Sequence, residues 1–208
     1  MKKSFLIGIP VRDFENPMSR LSNMVSKEER IHLQKHLILN LVNVFTSANA
    51  QPYVISGDVK VKAFCDTNKI NIFSTKQTGL NNEVVDFLKE IVDFKYWTIV
   101  HGDLPYITKH FARTWINLCE NNKIVITASK DSGTPIIGGS IQFNKFMYGS
   151  NSFDAHTKIL NQTKIAYERV FNKEFSFEID DEEDYLEFIK HKPRWYKKLK
   201  LISSPDRI

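Results

Sequence analysis

Apolar positions along this chain switch between two periods. Short continuous apolar runs over 5–11, 51–56, 70–74, 97–101 and 124–128 read as strands, the fourth of them covered on both faces. Between these runs the period lengthens to that of a helix. Over 26–47, Ile31, Leu33, Leu37, Ile38, Leu41, Val42 and Phe45 form an apolar stripe, and Ser26 precedes Glu29 at capping-box spacing. Helices are also predicted over 60–67, 81–91, 108–121, 152–163 and 181–191, the last opening on acidic residues that suit a positive helix N-terminus. The later half adds a hairpin or crossing strand over 135–143 and a strand over 175–179. Such alternation predicts an α/β fold with a doubly wound, mostly parallel sheet. Ligands of these sheets gather outside the carboxyl ends of the strands, so the chemistry is sought there.

Composition narrows the picture without changing it. A chain of 208 residues with 42% apolar content has material for one globular domain. That domain is expected over 1–192, followed by a basic tail over 193–208. Met1-Lys2-Lys3 looks like the start of a secretory signal, but the apolar stretch stops at Pro10 and charges follow. A cytoplasmic protein that does not cross a membrane is therefore expected. Cys65 and Cys119 have neither metal-ligand nor redox spacing. The formal charge is +5, and bases mixed with aromatics crowd 191–200. Such a cluster can track a nucleic-acid backbone, yet a short one carries no specificity. A solvated terminal segment is the favoured reading, and nucleic acid is not an expected partner. A positive surface suits a small anionic substrate equally well.

Candidate chemistry lies where strands turn into loops. The fourth apolar run ends in Gly102-Asp103-Leu104-Pro105, so Asp103 sits at the sheet edge, either as a metal ligand or as a cap for the next helix. The loop after the first run carries Arg12 and Arg20 and lacks the glycines of a dinucleotide fingerprint or a Walker loop. Two guanidinium forks there can hold phosphate oxygens. Ser56-Gly57-Asp58 follows the second run, and Thr78-Gly79-Leu80-Asn81-Asn82 leads into a helix whose N-terminus can receive a phosphate or a base edge. Asn81 or Asn82 can equally be an N-cap.

Taken in order, these segments resemble the 2-phospho-L-lactate guanylyltransferase family of deazaflavin cofactor biosynthesis. The resemblance is carried by Pro10-Val11-Arg12, Ser19-Arg20-Leu21, 26–30, Gly79-Leu80-Asn81, 102–105, Asp131-Ser132-Gly133-Thr134, 148–153 with His156, and 179–184. It implies a Rossmann-like three-layer nucleotidyltransferase fold with a mostly parallel mixed sheet. It also implies transfer of GMP from GTP to a small phosphorylated hydroxy acid, with pyrophosphate released. On that basis Asp103 and Asp180 would hold Mg²⁺, with Arg20 and Asp103 as the catalytic pair. Arg12, Ser19, Arg20, Ser56, Gly79 and Asn81 would bind the nucleotide, and Thr134, Gly149 and Ser152 the acceptor acid. A phosphate dianion is already a nucleophile, so no general base is required, and His101 and His156 are read as structural or orienting groups. For Asp180 the rival reading is an N-cap on the last helix. Small enzymes of this kind are often homodimers. The chain departs from the family pattern at Met18, where a lysine is usual, at Pro135, and at Glu178, where an aspartate is usual.

Overall fold

A computed structural model describes residues 5–196. Seven strands form one sheet: β1 (Phe5–Pro10), β2 (Gln51–Ser56), β3 (Asn71–Ser74), β4 (Tyr96–Val100), β5 (Ile124–Thr127), β6 (Ile136–Gly139) and β7 (Tyr167–Val170). Their spatial order is β3-β2-β1-β4-β6-β5-β7, with β6 antiparallel to both of its neighbours and all other pairs parallel. The helices are α1 (Lys27–Ser47), α2 (Val59–Asn68), α3 (Leu80–Glu90), α4 (Lys109–Asn121), α5 (Ser152–Gln162), α6 (Lys173–Ser176) and α7 (Glu182–Lys190). This is the mostly parallel sheet that the alternation predicts, and the antiparallel β6 makes it the mixed sheet that the resemblance implies.

The strand alternation divides β1 between two cores. Phe5, Ile7 and Ile9 pack with Ile38, Leu41 and Phe45 of α1 and with Trp115 of α4, whereas Leu6 packs on the other side with Phe87 of α3 and Leu160 of α5. Both faces are therefore dry, which explains the uninterrupted apolar runs. A third cluster joins Leu33 and Leu37 of α1 to Ile179, Phe188 of α7 and Tyr196. Trp195 adds a hydrogen bond to the Pro105 carbonyl at 2.9 Å, so the chain stays packed on the domain as far as residue 196. The remainder of the expected tail, 197–208, lies outside the described residues. Cys65 and Cys119 are buried thiols, pushed up by burial to about 11 and about 12, and act as core residues. Among the described residues no helix is long and apolar enough to cross a membrane.

One expectation about the last third is corrected. Residues 175–179 do not form a strand: Phe175 and Ser176 lie in the one-turn helix α6, and the chain then runs extended past Ile179 without joining the sheet. Phe175 and Ile179 are buried, so the alternation was genuine, but they serve two different clusters. The edge strand is instead β7, whose sequence Tyr-Glu-Arg-Val is too polar to stand out. The apolar run 136–140, by contrast, is explained by position, because β6 lies between β4 and β5. Its glycines are required by close packing. A Cβ on Gly139 would collide with the Lys123 carbonyl oxygen, and one on Gly138 would lie 2.6 Å from the Trp97 carbonyl oxygen. Gly139→Ala should accordingly lose about 1–3 kcal/mol of stability. Urea unfolding checks this, and an unchanged midpoint would show that β6 can shift to make room.

Candidate active site

The carboxyl ends of β1 and β4, the loop after β6 and the strap before α7 meet at one place. β4 ends at Val100, and the amide of His101 donates to the Pro135 carbonyl at 2.9 Å, which pins the start of the following loop against β6. Asp103 does not cap α4. That task falls to Thr108, whose hydroxyl accepts from the Phe111 amide. Its Oδ1 is instead buried with no hydrogen-bond partner. Asp180 is likewise not a cap, because Asp181 caps α7 in a capping box with Asp184. Both rival readings of these acids are thereby removed.

Between them stands Glu178, which is 8% exposed and joins both acids in ligand-competent groupings. His101, Asp103 and Glu178 bring ligand atoms within 4.8 Å of one another, and so do Asp131, Glu178 and Asp180. The Ile179 amide donates to the Asp103 carbonyl at 3.2 Å, so the strap is fastened beside the strand end. Electrostatics follows from this crowding. Burial and then the Glu178 charge lift Asp103 to about 8, against the pull of His101. Burial and then Glu178 raise Asp180 to about 6. Burial opposes the charge on His101, yet Glu178 at 2.6 Å outweighs it and holds the imidazole at about 9. His101 Nδ1 thus donates to Glu178 Oε1 and fixes it. The orphaned oxygen of Asp103, the hard oxygen donors and the mutual repulsion fit a divalent cation such as Mg²⁺.

In front of these acids opens a cleft of about 850 Å³, lined by Arg12, Gly79, Leu80, Glu83, His101 and Asp103 among others. A smaller recess of about 240 Å³ shares Arg12 and Asp103 with it and adds Ser19, Arg20 and Asp180. The charge of Arg20 is felt by both Asp131 and Asp180. Arg12, Ser19, Arg20, Gly79, Asp103 and Asp180 are therefore brought together as the sequence suggested. Ser56 is not on the cleft wall: it is buried, and its hydroxyl accepts from the Asp58 amide. Neither Asn81 nor Asn82 caps α3, which starts after Gly79 at φ 97°. Asn81 is committed elsewhere, its amide clasping the Tyr148 backbone through both N–H and C=O at 2.7 and 3.3 Å.

Thr134, Ser152 and His156 form one buried chain. The Ser152 hydroxyl donates to Thr134 Oγ1 at 3.1 Å, Thr134 Oγ1 pairs with His156 Nδ1 at 3.0 Å, and His156 Nε2 accepts from the Met147 amide. Burial depresses His156 to about 4, so the ring stays neutral and can accept that bond. These three residues brace the N-terminus of α5, while Gly149, at φ 142°, lies exposed in the loop before it. Glu178 was visible to sequence reasoning only as a departure from a family pattern. Its buried pairing with His101 depends on a contact across 77 residues that no local pattern announces.

The cleft with Arg12 and the adjoining recess with Arg12 and Arg20 face an acid cluster at the carboxyl edge of this sheet, an arrangement suited to nucleotide phosphates, and the fold is that of the nucleotidyltransferases. A protein from Desulfovibrio desulfuricans G20 assigned as a nucleotide-diphospho-sugar transferase superposes with a TM-score of 0.78 at 14% identity, covering 96% of this chain and 95% of its own. A cytidylyltransferase from Leptospira borgpetersenii superposes at 0.59 and 14% identity, covering 100% and 99%. The chain belongs to the CofC-like guanylyl transferase family, whose profile matches residues 5–204. The 2-phospho-L-lactate guanylyltransferase of Methanocaldococcus vulcanius is 27% identical over 93% of this chain and 88% of its own length. That of Archaeoglobus fulgidus is 23% identical over 85% and 79%.

Proposed function

We propose that this protein transfers GMP from GTP to the phosphate of a small phosphorylated hydroxy acid, of the 2-phospholactate, phosphoenolpyruvate or 3-phosphoglycerate type, in the cytoplasm. The observation that carries this reading is the meeting of the Arg12 and Arg20 loop with Asp103, Glu178 and Asp180 at one sheet edge. Arg12, Ser19 and Arg20 receive the triphosphate, the guanidinium forks matching its oxygens. An oxygen of the acceptor phosphate attacks the α-phosphorus in line. The bond from that phosphorus to the bridging oxygen breaks, and pyrophosphate leaves with the electron pair. The arginines offset negative charge as it develops on the transferring and leaving groups. Asp103, Glu178 and Asp180 would hold Mg²⁺, which when bound neutralises phosphate charge and orients the reacting oxygens. His101 keeps Glu178 turned toward that position through its 2.6 Å bond. The acceptor meets Gly149 and the N-terminus of α5, where the helix dipole favours an anion, although the Phe153 amide is already bonded to the Ser132 carbonyl. The Ser152 hydroxyl is spent on Thr134, which also takes the His156 bond, and the two act chiefly by holding that terminus in place.

A pyrophosphate-release assay tests this with four nucleoside triphosphates against the three acids, with and without Mg²⁺. Release should require GTP, one of the acids and the divalent ion together. Equal release with CTP or UTP, or release only with a sugar phosphate, would replace this reading with another nucleotidyl transfer on the same fold.

A further inference from the structure

The cleft is lined by Asp103 of the acid cluster and also by Glu83 of α3, a carboxylate with unused capacity. We propose that Glu83 selects the base, reading guanine through its adjacent N1–H and N2 amino donors. This rests on the guanylyl-transfer reading and assigns the specificity of that same site. Five acids line the cleft. Asp13 accepts from the Glu15 and Asn16 amides and faces Arg12, Glu15 pairs with Lys27 and Lys60, and Asp58 caps α2 through the Val61 amide. Asp103 belongs to the acid cluster. Glu83 is left with a single 3.3 Å bond, from the Gly79 amide to its Oε1. That leaves Oε2, and a second lone pair on Oε1, for a ligand.

The surroundings suit a planar base. Gly79 presents backbone without a side chain, and a Cβ built there would meet nothing within 4 Å, so a flat ring can lie close to it. Leu80 beside it is half-buried and supplies an apolar surface. A carboxylate offers two acceptors side by side. Among the four bases guanine alone answers with two neighbouring donors on one edge, its N1–H and its N2 amino group. Adenine and cytosine turn a ring-nitrogen lone pair toward such a carboxylate, and uracil offers one donor. A site with a buried or half-buried acceptor rejects the analogue that lacks the matching donor.

Inosine triphosphate differs from GTP only by the missing 2-amino group and therefore isolates the bond in question. Binding is measured by calorimetry with Mg²⁺ and no acceptor, on the parent protein, Glu83→Ala and Asp86→Ala. The parent should bind GTP about 10- to 100-fold more tightly than inosine triphosphate, the range for one bond to a charged group. Glu83→Ala should bring GTP to the level of inosine triphosphate, which itself changes less. Asp86→Ala removes the same charge from α3 outside the cleft and should keep the parent ratio. A parent ratio near one, or a ratio preserved in Glu83→Ala with the helical signal intact, overturns the assignment to Glu83 alone. If the parent binds no guanine nucleotide at all, the guanylyl-transfer reading falls with it.

Discussion

Asp103→Asn should lower the rate of pyrophosphate release at least about 100-fold while the protein remains folded. Asparagine keeps the shape of the side chain but cannot ionise to give a charged oxygen ligand at the buried, unpartnered position at the end of β4. Cation-assisted stabilisation of a transferring phosphate is worth several kcal/mol, and each 1.4 kcal/mol or so is a factor of ten. The loss should persist at saturating GTP, since the triphosphate still has Arg12 and Arg20. A variant within about tenfold of the parent rate would remove Asp103 from the cation site.

The same substitution should raise stability once divalent ions are stripped away by a chelator. Asp103 is lifted from 3.8 to about 8, Asp180 from 3.8 to about 6 and His101 from 6.5 to about 9. All three move in one direction. A group whose folded pKa is raised contributes stability in full below its unfolded value and loses that contribution as pH climbs through the folded value. The window defined by these shifts runs from about pH 4 to about pH 9. The chelated protein should therefore melt lower at pH 9 than at pH 5, by roughly 5 °C or more for a chain of this size. Mg²⁺ should recover more of that loss at high pH, where the carboxylates are ionised, and Asp103→Asn should flatten the slope. Scanning calorimetry across that range decides the matter. A melting temperature that rises steadily with pH would mean that the acids are not crowded together as described.

The fold was legible because its determinants are local. Ser26 and Glu29 close the capping box of α1 with their own backbone, and the apolar runs of β1 and β4 follow from burial on both faces. Arg12 and Arg20 stood out because an open α/β sheet directs attention to the loop after its first strand. What stayed hidden was set by distant contacts. Glu178 owes its role to His101, and Asn81 is diverted from its expected place by the Tyr148 backbone. Phe175 and Ile179 alternate as strand residues do, yet each answers to a separate cluster. No pattern within a few residues distinguishes such cases.

The fastening of Ile179 to Asp103 also governs when the acid cluster is completed. As the chain emerges from the ribosome, β1, β4 and both loop arginines are complete well before Glu178 and Asp180 appear. The nascent domain can lay down much of its sheet, but it holds only one side of the acid cluster. The acid cluster thereby stays incomplete until the segment carrying Glu178 and Asp180 is made and docked, a contact of high sequence separation that forms late for entropic reasons.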